Sequence, residues 1–436
     1  MPNDPEYQAL WGLKNSGQVV QSTKGEESVD IGAEKAWDLT TGSPTLVVAV
    51  VDTGVDHKNA ELKENMWVNA KESAGRPGID DDMNGYVDDV FGYDFFNEDG
   101  DPRDDHGHGT HVAGTIGAAG DNRSGVAGVS WKVRLMGVKF LGSGGSGSTE
   151  DAIRAIQYAI DNGAKVINAS WGGGDYSKAL EDVLKKAQDK GVLFVAAAGN
   201  SGRNTDMTPA YPACYRLDNV ISVASVTNKG SLSYFSNYGR KSVHLAAPGS
   251  DILSLGLNGL EYQSGTSMAA PHVSGVAALL LSREPNLSPV QVRNRLVATT
   301  KSLNDLRGKT VSGGLVNAFF ALTNQHDPND PQRWPAVNFA VSSPSPYPND
   351  ANLKFEVRAP AGTKAFSIHF ARIETEETYD VVKVFDAKGG LIWKGSGSHE
   401  GLYSPVIEGS EATIVLTSDN GNQKQGFEVD RLALRP

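Results

Sequence analysis

Three residues far apart in the chain each place a reactive group where an apolar one would be expected. In VVAVVDTGVD a strongly apolar run ends on Asp52, so a carboxylate would stand at the carboxyl edge of a buried strand, where α/β sheets gather functional groups. In DDHGHGTHVAGTIGAAG, His108 opens a run of small residues that reads as a helix. The positive end of the helix dipole disfavours imidazolium there and would keep a base available at neutral pH. In GTSMAAPHVSGVAALLLS, Ser267 lies in the first turn of a helix with small or apolar residues on most sides. The unpaired N–H groups of that turn favour negative charge forming beside the hydroxyl. A hydroxyl, an imidazole and a carboxylate are the parts of an activated nucleophile: attacking oxygen, base, and the group that orients the base.

The elements that must carry these residues are legible from hydrophobic pattern. From Ser43 to about Thr323, short apolar runs (TLVVAVVD, VRLMGVKFL, AKVINAS, GVLFVAAAGN, NVISVASV, VHLAAPG) alternate with helical segments. One helix follows Ser148 or Thr149 as its N-cap and ends before Gly163, and another is bracketed by Ser177 and Gly191, both standard start and stop signals. Alternating strand and helix predict a doubly wound, mostly parallel α/β sheet covered on both faces. The expected domains are 1–325, with an N-terminal extension over 1–40, a proline-rich linker over 326–352, and an all-β sandwich over 353–436. The last segment alternates apolar and polar residues between turn signals such as AKGG and SDNGN, and its length is close to the roughly 100 residues of common sandwich modules.

Five segments in order, VVDTGVD, HGTHVAG, NASWGG, AAAGN and GTSMAAPHV, resemble the motifs of the subtilisin-like serine proteases, over about Trp11 to Ala318. The resemblance implies that Ser267 is the nucleophile, His108 its base and later its acid, and Asp52 the residue that fixes the imidazole tautomer. Asn200 matches the family's oxyanion-hole amide, paired with the N–H of Ser267. Gly145, Ser146 and Gly147, within GSGGSGS, are similar to the edge that pairs with an extended peptide, and Ser170, Trp171 and Gly172 to the opposite wall. Ala210 falls at the base of the primary specificity pocket, where the family commonly has glycine. With no acid at that position, apolar or medium-sized residues are expected before the cleaved bond. The resemblance further implies a secreted monomeric endopeptidase acting on proteins or peptides, and an N-terminal propeptide not found before Met1. MPNDPEYQALWGLKNSGQ lacks the basic-then-apolar pattern of a signal peptide, which suits a mature form with its leader removed.

IDDDMNGYVDDVFGYDF sets Asp80, Asp82 and Asn84 at alternate positions before Gly85, the first half of a calcium loop. Phe91 stands where an EF-hand has its closing glutamate, so Asp88 or Asp89 would supply the missing carboxylate, and Tyr86 completes the candidate ligands. The C-terminal YDVVKVFD and SDNGNQKQGF resemble a CUB-like sandwich without that family's cysteines. By that resemblance Glu377, Asp380 and Asp419 are candidates for a second Ca2+.

The 436 residues carry a formal charge of −12 with 39% apolar content, which argues for a globular protein and against nucleic acid or an anionic membrane as the main partner. A single cysteine, Cys214, excludes a disulfide framework and multi-cysteine zinc sites. His106, His108 and His111 could in principle hold zinc, yet no H-E-x-x-H accompanies them. A catalytically silent scaffold that binds proteins is the alternative from another class, and a hydrolase preferring esters is a third.

Overall fold

A computed structural model describes all residues, Met1–Pro436, and divides them into two units, Met1–His326 and Asp327–Pro436. In the first unit a sheet is built from β1 (Gly42–Asp52), β2 (Gly92–Asp94), β3 (Lys132–Lys139), β4 (Val166–Ala169), β5 (Leu193–Ala197), β6 (Val220–Val226) and β7 (Leu245–Pro248). A hairpin, β8 (Ile252–Gly256) and β9 (Gly259–Gln263), stands apart, and β10 (Lys301–Ser302) and β11 (Gly314–Leu315) close one edge. The order is β10-β11-β7-β6-β5-β4-β1-β3-β2, parallel throughout except for the β10–β11 pair. This is the expected doubly wound α/β architecture.

Burial on both faces explains the continuous apolar runs: Val48 to Asp52 in β1, and every residue of β4, β5 and β6, are buried. Helices α1 (His108–Gly117) and α4 (Thr266–Arg283) pack together, and α4 also lies on β1, β4, β5, β6 and β7. Buried against so many strands, α4 shows no polar stripe. Helices α2 (Thr149–Asp161) and α3 (Lys178–Asp189) are amphipathic. Each is capped as read from the sequence, with Ser148 accepting the Asp151 N–H and Ser177 that of Leu180. Helix α5 (Pro289–Ala298) starts with a capping box from Ser288 and Gln291. Residues 1–40 are integral to this unit, since Trp11, Ile31, Ala33 and Ala36 are buried in its core.

The second unit holds two antiparallel sheets. One has the order β12 (Ala336–Ser342), β20 (Gly426–Leu434), β14 (Ala365–Glu374), β17 (Ser398–Tyr403), with β18 (Ile407–Glu408) also on β14. The other runs β13 (Asn352–Arg358), β19 (Glu411–Thr417), β15 (Val381–Asp386), β16 (Leu391–Gly395). Phe366, Phe370, Phe427, Val384 and Ile414 fill the core. The linker expected over 326–352 is corrected here, because Ala336–Ser342 is an edge strand paired with β20. Its alternating burial was masked by prolines on both sides, Pro335 and Pro344, and proline beside an edge strand is tolerated because that flank needs no ladder partner.

Candidate active site

In the sheet order β1 lies between β4 and β3, so the chain leaves β1 toward both sides and a crevice opens at its carboxyl end. Asp52 ends β1, Ser170 follows β4, Asn200 follows β5, and His108 and Ser267 open α1 and α4. The expected residues therefore reach one place through five separate elements. They line, or lie directly beneath, a cleft of about 720 Å3.

His108 Nδ1 lies 2.7 Å from Oδ1 of Asp52, whose side chain is fully buried. Oδ1 of Asp52 also accepts the N–H of Thr53 at 2.7 Å. Burial acts to lower the His108 pKa, but the charge and hydrogen bond of Asp52, with Asp104 and Glu261 further off, outweigh it and hold the pKa above the ordinary histidine value. This corrects the expectation that the helix terminus would favour neutral imidazole, because a carboxylate in contact outweighs a partial dipole charge. The Ser267 hydroxyl donates to the carbonyl of Ser170 at 2.8 Å, and Ser170 Oγ donates to the carbonyl of Ser267 at 2.7 Å. Aspartate and histidine are thus joined, while the serine, in the same cleft, holds the neighbouring wall. Catalytic hydrogen bonds often tighten only when substrate is bound.

Asn200 is oriented by its oxygen. Oδ1 accepts the N–H of Thr266 at 2.8 Å and its hydroxyl at 2.9 Å, while Nδ2 lies over Gly265, where an added Cβ would be 3.4 Å from it and 3.5 Å from the Ser267 nitrogen. Pro271 lies inside α4, and the N–H of Ser267, in the first helical turn, has no intrahelical acceptor.

Two residues not singled out from sequence fix the base against the acid. Asp104, 4% exposed, accepts from Thr53 Oγ1 and from the N–H groups of His106 and Gly107 on one oxygen, and from the N–H and hydroxyl of Thr110 on the other. Thr53 Oγ1 in turn accepts the N–H of Gly109 at 2.9 Å. The signal was an aspartate shortly before a helix start, a capping pattern. Of the three histidines weighed as zinc ligands, His111 is buried with Nε2 on the carbonyls of Ile252 and Glu261, while Nδ1 of His108 is committed to Asp52.

Ser170, Trp171, Gly172, Ala210 and Gly145 line the cleft. Trp171 holds its wall, its Nε1–H donating to the Val51 carbonyl at 2.9 Å and its ring set against Phe140. Ser146 and Gly147 do not line the cleft: the Ser146 carbonyl accepts the Gly142 N–H, and Gly147 packs so closely on Phe140 O that a Cβ would lie 2.1 Å from it. The Ala210 N–H donates to Cys214 Sγ at 3.4 Å, and burial raises the pKa of that thiol.

The Subtilase family profile matches residues 43–320. The chain belongs to the subtilase family. It is 39% identical over 324 residues to a thermophilic serine proteinase of Bacillus sp. (strain AK1), covering 74% of this chain and 69% of that protein. It is 36% identical over 321 residues to subtilisin-like protease 1 of Plasmodium falciparum (isolate 3D7), covering 69% of this chain and 44% of that one. Among solved structures, a protease from Pseudoalteromonas arctica PAMC 21717 superposes with a TM-score of 0.60 at 31% identity, covering 74% of this chain and 99% of that one. A cold-adapted subtilisin-like serine proteinase gives 0.55 at 33% identity, covering 71% and 98%. By family and relatives this subtilase is a serine endopeptidase, and none of its helices is long and apolar enough to cross a membrane.

Acidic side chains of the subtilase converge in two places. Carboxylate oxygens of Glu72, Asp80 and Asp82 lie within 4.8 Å of one another. Glu72 was not among the sequence candidates, because it comes from a short helix preceding the loop. Its oxygens accept the N–H groups of Asp81, Asp82 and Asp88. The other candidates are engaged elsewhere: Asp89 accepts from Asn69, Asn84 and Tyr158, Asp88 from Gly78, and the Tyr86 ring packs among Tyr93, Phe95 and Tyr158. In the second unit the converging set is Glu376, Asp380 and Asp419. Glu376 takes the place expected for Glu377, a shift of one residue. Its carbonyl accepts the Asp380 N–H across the turn and its carboxylate accepts from the Asn422 side-chain amide Nδ2, while Glu377 lies against Gly397.

Proposed function

We propose that the subtilase cleaves peptide bonds in proteins through an acyl-enzyme on Ser267. The observation that carries this is the 2.7 Å contact of His108 with buried Asp52 in the cleft that also holds Ser267. Ser267 Oγ turns from the Ser170 carbonyl, gives its proton to His108 Nε2 and attacks the scissile carbonyl. The tetrahedral oxyanion would be received by Asn200 Nδ2 and the Ser267 N–H, and donors held by the fold need little reorganisation as charge develops. Imidazolium forms against Asp52, which stabilises it and remains ionised, and then protonates the leaving amine. Water repeats the sequence to release the acid.

An extended peptide would lie between the turn at Gly144 and Gly145 and the wall at Ser170 to Gly172, with the preceding side chain directed at Ala210. A methyl at the pocket base supports a preference for apolar or medium-sized side chains. Secretion fits the similarity to a cell wall-associated protease of Bacillus subtilis (strain 168), 38% identical over 317 residues, of which the chain spans 32%, and a monomer belongs to the same proposal. An N-terminal propeptide that assists folding belongs to the same reading.

Glu72, Asp80 and Asp82 offer a hard, all-oxygen donor set suited to calcium. At Asp80 desolvation works upward, but the N–H groups of Gly85, Asn84 and Met83 prevail and keep its carboxyl below the usual range. Glu376, Asp380 and Asp419 form the same kind of set. Bound calcium would stabilise the folded chain and takes no part in the bond cleavage. A fluorophosphonate tests the main reading: stoichiometric labelling abolished by Ser267→Ala is expected. An unlabelled wild type would leave a silent scaffold.

A further inference from the structure

Lys139 is 1% exposed, the least exposed lysine of the chain, at the last position of β3. In the parallel register it stands beside Asp52 on one side and Asp94 on the other. A buried ammonium is costly unless every proton finds an acceptor. Here the three bonds are to the Thr53 carbonyl at 2.8 Å, the Leu141 carbonyl at 2.7 Å and Asp105 Oδ1 at 2.7 Å. Each acceptor belongs to a different segment of the cleft. Thr53 follows Asp52, Asp105 lies in the loop entering α1 just ahead of His108, and Leu141 precedes the turn that presents Gly144 and Gly145.

We propose that Lys139 is a positioning residue, whose single ammonium group ties the acid-bearing strand, the base-bearing loop and the cleft-edge turn into one rigid frame. A surface-filling or purely core role does not account for the choice of side chain. The neighbours along β3, Met136 and Val138, are apolar and fully buried, and a methionine would fill the same tunnel without desolvating a charge. What methionine lacks is three divergent donors. Arginine lacks them too in this arrangement, since its planar fork cannot point at three acceptors around one nitrogen. Buried Asp94 attracts the ammonium through space, but the one carboxylate it bonds, Asp105, is 48% exposed. Two of its three bonds go to backbone carbonyls, which fix chain position and not side-chain charge. The Asp52 carbonyl accepts the N–H groups of Phe140 and Leu141, so the frame closes back on β1 from the other direction.

The inference rests on the proposed roles of Asp52, His108 and Ser267, and the wild type tests those first. Failure of the wild type to react with a fluorophosphonate overturns the catalytic reading itself. With the wild type reactive, Lys139→Met, measured well below its own melting temperature and normalised to titrated sites, is expected to label about 10-fold to 100-fold more slowly, the effect of slight misplacement of reacting groups. It should also lose most of the gain in kcat/KM that the wild type shows between a short ester and an extended peptide, because the Leu141 turn is released. Lys139→Arg should not rescue either readout. A melting temperature that drops while both per-site readouts stay within twofold of wild type would make Lys139 merely structural and overturn the proposal. If Lys139→Met fails to fold, Asp105→Asn keeps the ammonium and its two carbonyl bonds. A several-fold slower labelling with a wild-type melting curve is then expected, and an unchanged labelling rate overturns the proposal.

Discussion

The cleft and the acidic loop over Glu72 to Asp89 both concentrate charge, yet they resolve it in opposite ways. Around Asp52 the polar groups are buried and most are answered by protein: His108 and Thr53 on Oδ1 of Asp52, and donors on both oxygens of Asp104, while Oδ2 of Asp52 has no hydrogen-bond partner. In the loop, Glu72, Asp80 and Asp82 turn carboxylate oxygens toward one another, with only N–H groups and amides to offset them. Groups fixed by bonds to their own chain are pre-organised for chemistry. The clustered negative charge of the loop is what the proposed calcium would offset.

The comparison breaks most visibly at Asn200. If the cleft is pre-organised, Asn200→Ala removes one aimed donor and should lower kcat about 100-fold to 1000-fold with KM nearly unchanged. A matching loss in KM would mean that Asn200 binds the ground state and that the fixed orientation given by Thr266 has no transition-state purpose. Steady-state kinetics on one peptide amide decides this.

The next largest effect concerns buried imidazoles, which belong to the cleft's side of the contrast. Desolvation lowers the His111 and His272 pKa values to about 4, and burial together with Arg293 lowers that of His244 to about 3. The unfolded chain takes up these protons near the ordinary histidine value of about 6.5, whereas the folded chain does not. The stability they contribute is therefore complete above that value and is lost as pH falls toward about 4. Thermal melts at stepped pH should show the midpoint falling through that window. His272→Asn should flatten part of the slope, and an unchanged slope would mean that carboxylates dominate acid unfolding.

Chelation then probes the loop. A ligand held by the folded chain alone stabilises it by about 2.7 kcal/mol at a hundredfold excess over Kd, so excess chelator should lower the melting temperature by several degrees. Glu72→Gln should remove most of that calcium response while Glu377→Gln removes none. An identical melting curve with metal content shown to be zero would leave the loop a solvated charge cluster.

What the sequence made legible follows the same division. Asp52 ends a strand and His108 and Ser267 open helices, so hydrophobic pattern placed them at element ends, while Asn200, in the loop after β5, was legible only through the resemblance to the subtilases. Glu72 was invisible because its partners lie in a loop whose path no periodicity encodes. Glu376 was displaced by one residue from Glu377 for a similar reason, since a turn and not a strand sets which carboxylate faces Asp380. Ser146 and Gly147 read as a docking edge from their resemblance to the family's edge segment, and their close backbone approaches are internal, to Gly142 and Phe140. The strand at Ala336–Ser342 was hidden by flanking prolines.

The smallest effect tests how far the pre-organised cleft extends. Glu261 lies on the exposed strand β9, and its carboxylate is among the charges that raise the His108 pKa, after Asp52 and Asp104. Its backbone carbonyl serves His111 and its side chain accepts from Gln263, so Glu261→Gln removes the charge and leaves a carboxamide of the same shape. His108 must be neutral to take the serine proton, hence a lower pKa carries activity to more acid pH. The acid limb of kcat/KM, which reports the free enzyme, should move down while the plateau holds, and the shift should shrink in high salt because the group is exposed. A plateau that falls with an unmoved limb would show β9 shaping the cleft mechanically, and the electrostatic boundary would then end at Asp104.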